Sequence, residues 1–260
     1  MSLFHLTLAI TTFGVGNASL DVPVYKTVVD FVPGGNGSTW QLIPYQRKSG
    51  EIFFTAAVAC FFLLSSLFHA LNATVWRDFY FRELEQCRTP TRWTEYFFSA
   101  PLMMAIIAYT LGIRDRSLLL AVAALVAATM PYGYWTEMVS RPISPEEWGA
   151  PLRVRLLPWA LGHVPQVVAW LLVILQFYDG NFDPTEITPA FVHAILWAEL
   201  ILFFSFGFAA LGAQLARPKY FYRGELAFQV LSLVSKGLLG ILLIANVLML
   251  SRFEDLYDNE

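Results

Sequence analysis

Apolar residues fill this chain in long blocks separated by short polar ones. Seven blocks approach the ~20 residues needed to cross a ~30 Å hydrocarbon layer, near 2–20, 51–76, 91–112, 117–139, 155–178, 189–215 and 223–250. The pattern predicts an all-α membrane protein, one seven-transmembrane-helix domain over 1–260, lodged in a lipid bilayer where each helix satisfies its own backbone. The first block lacks a basic leader and a cleavage site, so it reads as a helix and not as a signal peptide. Between the first two blocks, Val24 to Phe31 and Thr39 to Pro44 are β-prone and flank Gly34-Gly35-Asn36-Gly37. They predict a short β-hairpin capping the bundle. Asn36-Gly37-Ser38 is a glycosylation triplet of a kind that also arises by chance.

Composition agrees with this pattern. The chain is 57% hydrophobic and 14% charged over 260 residues, with mean hydropathy +0.54, too apolar for a soluble globule of this size. Cys60 and Cys87 offer neither a disulfide framework nor metal-ligand spacing. No metal or nucleic-acid partner is expected. The net charge of −3 decides nothing, but its distribution does. Arg77, Arg82, Arg88, Arg92, Arg141, Arg153, Arg155, Arg217, Lys219 and Arg223 fall on the side of the N-terminus, against Lys26, Arg47, Lys48, Arg114, Arg116 and Arg252 on the other. The positive-inside rule then predicts a cytoplasmic N-terminus and an extracellular C-terminus.

Candidate chemistry centres on the last block, whose apolar run from Glu225 to Leu250 is broken by one lysine, Lys236. A lysine at mid-membrane costs ~2.5–3.5 kcal/mol or more, so a partner or a covalent role is expected. Burial lowers the pKa of an amine and makes it a nucleophile, which points to a Schiff base with a carbonyl ligand. The cation formed needs a carboxylate. Thr89-Pro90 predicts a helix start, which sets Glu95 one to two turns inside the third helix. Lys236 lies eleven residues beyond Glu225, or about 16 Å along its helix. Its side chain leans back toward the helix N-terminus, so it reaches the level of Glu95. Ser65 and His69, four apart in the second helix, share a face at a comparable depth. These residues predict one polar cluster, although a histidine hydrogen-bonded between helices is the plainer reading of His69.

Elsewhere, Glu137 ends the fourth helix, either at the interface or inward, and Glu199 is a second acid deep in the sixth, which also carries His193. Trp170 in the fifth helix, with Trp197, Phe203, Phe204, Phe206 and Phe208 in the sixth, would suit a flat conjugated ligand. Ordinary packing explains such aromatics equally well.

The segment Arg92-Trp93-Thr94-Glu95-Tyr96-Phe97-Phe98-Ser99-Ala100-Pro101-Leu102 resembles the third helix of microbial retinal proteins. With Gly224-Glu225 ahead of Lys236, Leu231-Ser232-Leu233 beside it and Phe61 to His69 in the second helix, the chain is similar to heliorhodopsins across helices two to seven. The resemblance implies covalently bound all-trans retinal on Lys236, Glu95 as counterion, and Ser232, Tyr96, Ser99 and Trp170 near the chromophore. It further implies isomerisation to 13-cis, a slow photocycle suited to signalling through an unidentified downstream partner, a homodimer and no enzymatic activity. Its inverted topology matches the charge distribution.

Three positions separate the chain from pump-type rhodopsins. Ser232 stands for a second counterion aspartate, Ile106 stands where pumps carry a proton donor, and the sixth helix lacks a Trp-rich sandwich. Three more depart from the family. A first-helix histidine is missing, with Thr11 and Thr12 in that neighbourhood, Leu211-Gly212 replaces Asn-Gln, and the sixth–seventh connection is short. The rival reading is a light-activated proton channel or transporter using Glu199 and Glu137 as relay carboxylates. A third is a membrane enzyme with Lys236 as its amine nucleophile.

Overall fold

The computed structural model describes residues 1–17, 19–34, 39–180 and 188–248. Eight α-helices and one hairpin follow in the order α1 (Ser2–Val15), β1 (Asp21–Pro33), β2 (Trp40–Phe53), α2 (Phe54–Ala73), α3 (Arg77–Glu85), α4 (Pro90–Thr110), α5 (Arg116–Ser140), α6 (Leu152–Gly180), α7 (Ala190–Leu215) and α8 (Phe221–Asn246). Five of these, α2, α5, α6, α7 and α8, are long and apolar enough to cross a membrane among the described residues. α1 is apolar but only 14 residues long, while α4 has the length and carries Arg92 and Glu95 among its apolar residues. With these two, the membrane helices form the seven-helix bundle. α3 is a short polar connector that the hydropathy pattern did not predict.

Sequence neighbours pack side by side, α1 on α2, α2 on α4, α4 on α5, α5 on α6, α6 on α7 and α7 on α8, and α8 returns to α1 to close the ring. Pro101, Pro131, Pro158 and Pro165 lie inside helices, which a bundle tolerates because neighbours re-satisfy the freed carbonyls. The interior is filled by residues such as Phe61, Phe62, Met104, Ile107, Ile195 and Leu196, all fully buried.

Two boundaries differ from expectation. The first helix stops at Val15 rather than near residue 20, since Asp21 already belongs to the hairpin. The ladder runs from Asp21↔Phe53 to Pro33↔Trp40 and slips between Val24 and Tyr25, where Ser49 bulges. Gly50, at φ +156°, occupies a backbone region that favours glycine beside that bulge. The second helix therefore begins at Phe54 rather than 51. The glycosylation triplet and Arg252 lie outside the described residues.

Candidate functional site

Helix periodicity brings the polar residues together. Arg92, Glu95 and Ser99 recur at three- and four-residue spacing on α4, and Glu225, Ser232 and Lys236 at seven- and four-residue spacing on α8, so each set shares one face. Lys236 Nζ donates to Glu95 Oε1 at 2.6 Å and to Ser65 Oγ at 2.6 Å, and lies 3.5 Å from Ser99 Oγ. Neither the lysine nor the glutamate side chain is more than 5% exposed. The ammonium also sits 5.3 Å from the Tyr96 ring centroid and 5.6 Å from that of Phe61. Ser232, one turn before the lysine, is buried beside Tyr96.

His69 does not hydrogen-bond to this pair. It stacks on His5 with ring centroids 5.5 Å apart and planes within 12°, and it lies close enough to Glu95 and Lys236 to feel both charges. His5 corrects the expectation that the first helix has no histidine. It belongs to α1 and is fully buried, closer to the chain start than the threonines compared with that position.

A second polar centre was not anticipated. Arg92 forks between the carboxylates of Glu137 and Glu225, with all three buried. Its guanidinium lies 3.9 Å from the centre of the Phe228 ring. Glu225 also accepts from Tyr80 Oη at 2.8 Å and Gln229 Nε2 at 2.9 Å. Glu137, now shown to point inward, accepts from Thr89 N at 2.7 Å and Thr89 Oγ1 at 3.0 Å, so the hydroxyl expected to cap α4 serves a neighbouring helix instead. The signal for this centre was present. Glu225 precedes Lys236 by three turns and Arg92 precedes Glu95 by one, so both stand on the faces that carry the lysine and the glutamate.

The bundle end opposite the hairpin is held by contacts among the ends of α5 and α7, the α5–α6 loop and the α7–α8 connection. Gln214 Oε1 accepts from Ser140 Oγ at 2.5 Å, and Trp148 Nε1 donates to Ala216 O at 2.7 Å. At the surface, Glu146 bridges Lys219 at 2.5 Å and Arg217 at 2.7 Å. The hydrogen bond from Lys219 and then that from Arg217 hold the Glu146 carboxyl below the usual carboxylate range. Gln214 supplies a buried polar group in the sixth membrane helix two residues past Leu211-Gly212.

A cavity runs beside Lys236. Tyr96, Met103, Phe203, Phe206 and Phe228 line it, and Arg92, Glu137 and Glu225 stand at one end. Trp170 is not a lining residue. It meets the lining residue Phe203 edge to face, with centroids 5.4 Å apart. Trp197 and Phe208 point outward and are 46% and 65% exposed. The two relay candidates are separated. Glu137 belongs to the arginine centre, whereas Glu199, fully buried, accepts from Ser235 Oγ at 2.7 Å, and its other oxygen has no hydrogen-bond partner among the described residues. A slot with many aromatic side chains and a buried amine in its wall fits a long conjugated ligand.

The heliorhodopsin family model matches residues 1–248 of the chain. No curated protein matches it.

Proposed function

The chain belongs to the heliorhodopsin family, light-sensing membrane proteins of rhodopsin type that use retinal, and from that membership we propose that it is a sensor whose chromophore is covalently held on Lys236. The observation that carries this reading is the Lys236–Glu95 pair, a buried amine with one carboxylate at 2.6 Å, the amine lining an aromatic cavity. Bound there, all-trans retinal would supply visible absorption and isomerisation to 13-cis.

The side chains of the protein divide the remaining work. Glu95 balances the positive charge on Lys236 Nζ, and Ser65 and Ser99 fix the position of that nitrogen. Tyr96 and Phe61 place ring faces near the cation, an arrangement that stabilises it. A proton leaving Lys236 Nζ meets Glu95 Oε1 first, and Ser65 with the stacked His69 and His5 offers it a site within the protein. On the other side of Glu95, Arg92 is pinned between Glu137 and Glu225, which keeps that end of the cavity shut in the resting state. Retention of the proton favours signalling over transport. In this reading the N-terminus is cytoplasmic, the C-terminus is extracellular, and the protein works as a homodimer that contacts a downstream partner.

Glu199 favours a second reading. A buried carboxyl bonded to Ser235, the residue beside Lys236, is placed to take a proton on the α7 side and would make the protein a light-activated proton channel or transporter. Addition of all-trans retinal to the purified protein tests the shared premise. A visible band that forms in the parent supports retinal binding, and no band overturns both readings.

A further inference from the structure

The cavity wall formed by α6 is not apolar. Trp159, His163 and Gln166 line it at the spacing of one helical face. α6 packs chiefly between α5 and α7, whereas Lys236 on α8 bonds to α2 and α4, so these three residues and the lysine occupy different ends of one cavity.

Their hydrogen-bonding states follow from their partners. Trp159 Nε1 donates to Gly207 O at 2.8 Å. His163 Nδ1 is 2.8 Å from Trp159 O. A carbonyl can only accept, so Nδ1 carries the proton. Nε2 rests against Gly207, where any Cβ would collide with it. Gln166 is 6% exposed, and its Nε2 has no hydrogen-bond partner among the described residues. A buried donor left unmade is costly. The open donor on Gln166 matches an oxygen that accepts a hydrogen bond, as a hydroxyl or a ketone does.

We propose that this end of the cavity is a subsite for an oxygen substituent on the ring of the retinoid, so that the protein selects a ring-hydroxylated retinal over unsubstituted retinal. This rests on the retinal reading above, with the aldehyde end at Lys236 and the ring between α5, α6 and α7. A ring ketone also accepts from Gln166, so it ranks with the hydroxyl above unsubstituted retinal.

The test is competition. Full-length protein expressed without retinal is incubated with equal amounts of unsubstituted and ring-hydroxylated all-trans retinal, and the bound retinoid is extracted and quantified. A gap of roughly tenfold in favour of the hydroxylated form is expected, the usual scale for one satisfied buried hydrogen bond. Gln166→Leu should bring the ratio close to one while still taking up unsubstituted retinal. Equal uptake by the parent, or a preference unchanged in Gln166→Leu, overturns the subsite alone. Failure of either retinoid to bind overturns the retinal reading and the subsite with it.

Discussion

Lys236 Nζ and Glu95 Oε1 stand 2.6 Å apart in surroundings that leave neither side chain more than 5% exposed. At that burial the two charges depend on each other, because removal of either leaves an uncompensated ion in a medium that solvates it poorly. In the proposed reading the pair therefore controls both ligand attachment and colour.

Lys236→Ala is expected to abolish the visible band formed with retinal and to leave a folded protein. Lys219, the nearest other lysine in sequence, is spent on Glu146 at the surface, so no substitute amine reaches the cavity. Absorption spectra of parent and variant after retinal addition, with size-exclusion profiles as the folding control, check this. A visible pigment in the variant would move the attachment point elsewhere.

Glu95→Gln removes the carboxylate nearest the nitrogen. Loss of a counterion lowers the pKa of the cation, so the band should move to the near ultraviolet, or strongly to the red where the proton is retained. Glu199 bonds to Ser235 and not to Lys236, so it offers no replacement in the resting state. A spectrum unchanged at neutral pH would reassign the counterion to Glu199.

The seven apolar blocks were legible because a spanning helix must be apolar for most of its length, and Lys236 stood out for the same reason. Helix direction and side-chain lean carried the lysine to the level of Glu95. The connector α3 was not legible, since its polar sequence, with no residue buried, has the composition of a loop. The Arg92–Glu137–Glu225 centre needed the positions of three helices at once, and sequence spacing relates only residues on one helix. Glu137 could be placed inward or outward equally well until its partner Arg92 was located. His5 escaped because a single histidine near the start of the chain acquires meaning only when His69 stacks on it.

Arg92→Gln should destabilise the protein by ~3–5 kcal/mol, the usual consequence of breaking a buried ion pair from one side. It leaves the carboxylates of Glu137 and Glu225 without their shared cation. Thermal unfolding in detergent reads the loss as a lowered Tm. Combination with Glu225→Gln should cost less than the sum of the two single changes, because the second removes a charge that the first left unpaired. Strict additivity would show that Arg92 and Glu225 are not coupled.

Transport decides between the two functional readings, and Ile106 and Glu199 pull it in opposite directions. Ile106, eleven residues beyond Glu95 in the position where pumps carry a donor acid, is 3% exposed and cannot hold a proton. A proton that leaves Lys236 Nζ toward Glu95 then has the Ser65, His69 and His5 side of the bundle to occupy, and it returns the way it came. Glu199 is the exception, since its buried carboxyl lies one hydrogen bond from Ser235 on the α7 side. A protonated carboxyl that only ties α7 to α8 would look the same at rest, so light must be applied to tell them apart. Photocurrents under voltage clamp in cells expressing the parent and Glu199→Gln make the distinction. No current in either protein is the expected outcome and supports the sensor, whereas a current in the parent that disappears in Glu199→Gln would establish the conductor.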